Sequence, residues 1–132
     1  MTRNVAYAGK KFTIAFAREK NGTYPAEEFM NGQMTQAEQV KLAHLFLLAG
    51  DHGDFSNDQK FGDLKNGMYE FKVTKQIRFP FAYSGKESRT IVVTHGFVKK
   101  KDKAPKEDIE RAWRIFREDQ DGRLTLVGKG AR

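Results

Sequence analysis

Glu70, Lys72 and Arg78 lie within one nine-residue stretch, and His95, Phe97, Lys99, Lys100, Lys101 and Lys103 follow after one further β-like segment. An acid, a lysine and an arginine at this spacing suit chemistry on a phosphodiester. RNA carries its own nucleophile, the 2′-OH. A protein has to hold that oxygen in line with phosphorus and stabilise negative charge on the phosphoryl oxygens. It must also take a proton from the nucleophile and give one to the leaving 5′-oxygen. Arg and Lys meet the charge requirement without a metal. Glu70 can serve as base. A Lys whose pKa is depressed among other cations can be base or acid, and His95 is a third candidate. Phe97 can stack on an unpaired base.

Each of these residues also has a plainer reading. Glu70 and Lys72 on an exposed strand face are ordinary solvated side chains. Arg78, in an otherwise apolar strand, needs an anionic partner, and Glu70 can supply it as a structural pair. The lysine cluster from Lys99 to Lys103 is a solvated loop or a generic phosphate-contact patch. His95 continues the parity of Ile91 and Val93, so a buried, hydrogen-bonded histidine is as good a reading as a catalytic one. Tyr69 and Tyr83 share their strands' apolar faces and belong to the core.

The elements that would position these residues can be read from periodicity. Lys11–Phe16 alternates, with Phe12, Ile14 and Phe16 on one side, as a half-buried strand does. Asn21–Tyr24 is a turn, and Pro25 opens a short helix with Glu27 and Glu28 in its first turn. Thr35 and Glu38 form a capping-box pattern for a helix from about Gln36 to Ala49, with Leu42, Leu45, Phe46 and Ala49 as its core stripe. Gly50 is its expected stop, and His44 within it is structural. Residues 50–67 read as a polar loop whose Asp spacing lacks the Gly and Glu of a calcium site.

Three strands follow. In Met68–Val73, Tyr69, Phe71 and Val73 face one way and Glu70 and Lys72 the other. In Gln76–Tyr83, Ile77, Phe79, Phe81 and Tyr83 share a face with Arg78 opposite, and Pro80 demands an edge or a bulge. Ser84–Glu87 is a hairpin turn, and Arg89–Thr94 is β-branched enough for a strand buried on both faces. An antiparallel meander of these three would gather Glu70, Lys72 and Arg78 on one open face. A last amphipathic helix starts at Pro105, with Ile109, Ala112, Trp113 and Phe116 inward and the pairs Glu107–Arg111 and Glu110–Arg114 outward. Asp121-Gly122 ends it. Arg123–Val127 can add a short strand before a loose tail, 123–132. The fold class expected is α+β: one domain over 1–132, with a strand, two helices, an antiparallel meander and a C-terminal helix.

Composition bounds the function. The chain has 132 residues, 39% of them apolar, including 11 Phe, and this is a globular composition. It has no Cys, which excludes disulfides, thiolate metal sites and a Cys nucleophile. Three scattered His without ligand spacing point away from zinc. The net charge of +7 favours polyanionic partners. The N-terminus leads into no apolar signal segment, and Leu45–Ala49 is too short to span a bilayer, so a cytoplasmic protein without membrane contact is expected.

The quoted residues carry a resemblance. Leu64-Lys65-Asn66-Gly67-Met68-Tyr69-Glu70-Phe71-Lys72, then Arg78-Phe79-Pro80-Phe81-Ala82-Tyr83, then His95-Gly96-Phe97-Val98-Lys99-Lys100 with Pro105 beyond, resemble the phage-derived HigB-like branch of the RelE/ParE toxin superfamily. The match runs from Leu64 to about Phe116. It implies a RelE-like type II toxin that cleaves mRNA in the ribosomal A site and contacts ribosomal RNA. It also implies that no cofactor is used and that a helix-turn-helix, HigA-like antitoxin neutralises the toxin. Carried over by position, Glu70 and Lys72 occupy the active strand, Arg78 is the transition-state arginine, and Lys99 and Lys100 belong to the basic segment. Lys72 stands where this branch usually has Arg, Pro80 is unusual in its strand, and no His or Tyr stands near the C-terminus. The general base is open between Glu70, Lys72 and His95. Two other readings compete: a non-enzymatic ParE-like toxin that binds gyrase, and a phage protein that only binds nucleic acid.

Overall fold

The alternating and β-branched stretches form one sheet, and the amphipathic stretches form helices on both of its faces. The computed structural model describes residues 3–102 and 104–130, with backbone alone described over 123–130. In chain order the elements are β1 (Val5–Ala8), β2 (Thr13–Phe16), α1 (Pro25–Gln33), α2 (Gln36–Leu47), a π-helical turn (Leu48–His52), β3 (Phe61–Asp63), β4 (Tyr69–Lys72), β5 (Ile77–Tyr83), β6 (Thr90–Val93), β7 (Phe97–Val98) and α3 (Lys106–Gly130). The sheet runs β1-β2-β6-β5-β4-β3, with β7 pairing β5. Neighbours are antiparallel except β2 and β6, which are parallel. This is the mixed α+β class expected from the sequence.

All four residues of β6 are buried, as its β-branched run requires of a central strand. Helices α1 and α2 cover one face, where Phe29, Leu42, Leu45 and Phe46 meet Phe16, Phe71, Phe79 and Phe81. Helix α3 covers the other, with Ala112 against Met68 and Ala82, and Ile115 against Ala17 and Val92. Pro25 sits in the first turn of α1. The capping box of α2 is made: the Thr35 hydroxyl accepts from the Glu38 backbone N–H at 3.1 Å, and the Thr35 N–H donates to the Glu38 carboxylate at 2.9 Å.

Pro80 lies where the ladder is broken. Continuing the Phe81↔Val93 register would place Arg78 opposite Gly96, but Arg78 pairs with Phe97. One extra residue therefore lies between β6 and β7. This bulge faces the position where Pro80 has no N–H to give.

Four local readings are corrected. Strand β1 is an addition that the sequence pattern does not announce. Gly50 does not stop α2; it lies inside the π turn, and Gly53, at φ 61°, ends it. The Gly50 carbonyl is occupied by the N–H groups of Lys11 and Phe12, and a Cβ there would meet the Tyr7 ring at 2.8 Å. Gly50 thus serves a close backbone approach. The 50–67 segment contains β3, whose three residues are too few to show a period. Helix α3 does not end at Asp121-Gly122; it continues to Gly130, so 123–127 is helical where a strand was expected. A helical Gly costs about 1 kcal/mol relative to Ala, which the buried Asp119 and Gln120 just before it can offset by anchoring the helix. Among the described residues no helix is long and apolar enough to cross a membrane.

Candidate functional site

Strands β4 and β5 set the register Lys72↔Arg78 and Glu70↔Pro80, which makes Glu70 and Arg78 diagonal neighbours on one face. Their side chains meet. Arg78 Nη1 donates to Glu70 Oε2 at 2.9 Å, and Arg78 Nη2 donates to the Lys75 carbonyl at 3.0 Å. The face is not open as expected: Glu70 is 5% exposed and Arg78 7%. Strand β3 lies outside β4, and Gly62 pairs with Glu70. A Cβ on Gly62 would lie 2.7 Å from Glu70 Oε2 and 2.9 Å from Lys72 Cε, so the bare glycine makes room for both side chains. Nothing in the local sequence singles out Gly62, because it sits in a stretch that reads as loop.

The pair is incompletely satisfied. Glu70 Oε1 and Arg78 Nε are buried without a hydrogen-bond partner among the described residues. Half-buried Lys72 runs across β3 and donates Nζ to the Asp58 carbonyl at 2.7 Å. The structure thus brings Glu70 and Arg78 together as the ion pair that the plainer reading named, and it turns the Lys72 ammonium toward the sheet edge.

His95 is fully buried. Its Nδ1 lies 3.1 Å from the Thr94 hydroxyl and its Nε2 3.3 Å from Asp108 Oδ1. With the proton on Nε2, the ring donates to Asp108, while the Thr94 hydroxyl also reaches the Pro80 carbonyl at 3.2 Å. Burial, with Arg111 and Arg114 adding to it, pushes the imidazole pKa down to about 3. The Asp108 carboxyl is pushed up by burial. His95 is therefore neutral and closed in, which is the structural of its two readings. Phe97 stacks on it with ring centroids 5.6 Å apart and is itself buried, so it offers no exposed platform for a base.

The lysine segment divides. The Lys99 ammonium is held by the Asp102 carbonyl at 2.8 Å, while Lys100 and Lys101 are exposed beside Pro105 and Lys106 around a shallow cavity of about 480 Å³. Lys103 lies outside the described residues. His44 is exposed on α2. Among the described residues no three His, Asp or Glu side chains come together as a metal cluster.

The family described as phage-derived protein Gp49-like (DUF891), a RelE/toxin-like family, matches residues 30–117. The matched span runs from α1 into α3 and takes in the Glu70–Arg78 pair, Lys72, His95 and the lysine segment. No curated protein matches the chain.

Proposed function

We propose that this chain, which belongs to the phage-derived Gp49-like family, is the toxin of a toxin–antitoxin pair and cuts translated mRNA on the ribosome. One observation supports the chemistry: the buried Glu70–Arg78 pair, with one carboxylate oxygen and one guanidinium N–H left over. A buried ion pair contributes little to stability, and each unfilled buried polar atom costs about 1–3 kcal/mol. Such a pair suits a site whose missing partners arrive with the substrate. A phosphoryl oxygen would fill the guanidinium; the 2′-OH would give its proton to the carboxylate as its oxygen displaces the 5′-oxygen from phosphorus, and that proton, carried by the carboxyl or by water, would pass to the leaving 5′-oxygen. The Lys75 carbonyl that holds Arg78 belongs to the β4–β5 turn, and releasing it frees the guanidinium to move toward RNA. Lys100 and Lys101 would hold flanking phosphates or ribosomal RNA. A helix-turn-helix antitoxin is the proposed neutralising partner.

A binding toxin without catalysis is favoured by a different observation. The pair's closest contacts are internal, and His95 is sealed and neutral. The two readings part in one experiment. Inducing the chain should arrest growth and cut messages at in-frame sites, and the cuts should vanish when a message's start codon is removed. Growth arrest with intact messages and DNA-damage signalling would instead support gyrase binding. Arg78→Lys is the informative variant, because Arg78→Ala would strand a buried carboxylate. The lysine keeps the charge but not the planar fork, and cleavage should fall by about a hundredfold or more. A fully toxic Arg78→Lys removes Arg78 from the mechanism.

A further inference from the structure

Away from Arg78, the edge strand β3 adjoins two cavities that share Lys72. The first is a groove of about 550 Å³ lined by Lys41 and His44 from α2, Lys60 just before β3, and Lys72 at the end of β4. Among the described residues no carboxylate lines it. The second, of about 440 Å³, has aromatic walls that include Phe55, Tyr69 and Tyr83, with Asp58 and Asp63 beside them. Tyr83 is 41% exposed, and Phe55 and Tyr69 are half-buried. Their rings stand edge to face, with centroids 5.8 Å apart for Tyr69 and Tyr83 and 6.3 Å for Phe55 and Tyr83. Lys72 reaches over β3 to the Asp58 carbonyl, which carries its ammonium to where both cavities meet.

We propose that the two cavities form one nucleotide subsite for single-stranded RNA, with a backbone phosphate on the lysines and its base against Tyr83, Tyr69 and Phe55. Cations without competing carboxylates attract phosphate, and every base has a face to stack. The two carboxylates can only accept hydrogen bonds, so they fit the amino edge of a base and repel phosphate, which sets the direction in which the nucleotide enters. The ligand class rests on the RNA-cutting function proposed above. The subsite adds a grip on the strand that is separate from the Glu70–Arg78 pair.

The test is binding of the purified full-length chain to a short oligoadenylate and to an abasic strand of the same length, across a salt series. Lys41→Ala/Lys60→Ala should weaken both strands about tenfold at low salt and flatten the salt slope by about 0.7, as expected for one lost single-strand phosphate contact. Tyr83→Leu should weaken oligoadenylate about fivefold or more and leave the abasic strand unchanged. Thermal unfolding of each variant checks that it is folded. Wild-type affinity and slope in the double lysine variant, an equal effect of Tyr83→Leu on both strands, or no binding by the wild type would each overturn the subsite. Message cleavage is measured in parallel. If binding behaves as stated and nothing is cut, the RNA-cutting function fails and the subsite stands. If messages are cut and the variants bind normally, the subsite alone fails.

Discussion

A carboxylate and a guanidinium held 2.9 Å apart beneath the sheet surface are costly to separate. Removing one partner leaves the other charge buried, a change worth about 3–5 kcal/mol, whereas replacing both by apolar groups of similar size is close to neutral. Arg78→Ala should therefore lower the unfolding free energy measured in urea by that amount, and Glu70→Leu/Arg78→Met should recover most of it. An Arg78→Ala protein as stable as the wild type would show that water already screens the pair. His95 gives a pH signature. Its pKa is lowered in the folded chain to about 3, against about 6.5 when unfolded, so between these values the unfolded chain binds the extra proton. The stability His95 contributes is complete above pH 6.5 and declines as pH falls, by at most about 1.4 kcal/mol per pH unit. Asp108, with its raised pKa, works in the opposite direction, and the histidine's loss begins just below pH 6.5. His95→Gln should flatten unfolding free energy against pH there; an unchanged slope would assign it to other groups.

At the scale of elements, α3 is fastened by charge as well as by packing. Arg3, ahead of β1, donates to Asp119 on α3 at 2.7 Å and to Glu87 in the β5–β6 turn at 2.5 Å. Asp119 also accepts from the Arg18 backbone N–H. Arg3→Ala would leave carboxylates facing one another and should cost on the order of 3 kcal/mol. Amide exchange should quicken in β1 and in residues 84–89 before it does in β6. Uniform exchange across the sheet would mean that the clamp is not local. The same element shows what can be read from sequence. Its first four turns carry an apolar period and were legible. Its continuation past Gly122 was not, because the anchor at Asp119 is made by Arg3, more than a hundred residues away. Of the outward pairs, Glu110–Arg114 is not made: Arg114 turns instead to Glu118 and, across the surface, to Glu19. Helix α2 and strand β6 were legible because their signals are local: a capping box and a β-branched run. The parity of Glu70 and Arg78 was legible too. Their burial was not, because it depends on β3, a strand of three residues ending in a turn.

For the whole molecule, the disposition of charge follows from these internal pairings. Glu70, Glu87 and Asp119 are spent on buried or half-buried arginines, while Lys41, Lys100 and Lys101 face solvent. The net charge of +7 is thereby expressed at the surface, where a polyanion can meet it. The parallel pair of β2 and β6 has a less obvious implication. Strand β2 ends at Phe16, but the strand it lies beside does not begin until Thr90. While the chain is being synthesised, the β1–β2 hairpin emerges early with one edge bare, and β3, β4 and β5 have no central strand to complete their sheet. The second face stays uncovered until α3 has followed. A nascent chain of this topology cannot complete its sheet until Thr90–Val93 has been made, so its folding is finished only late in its own translation.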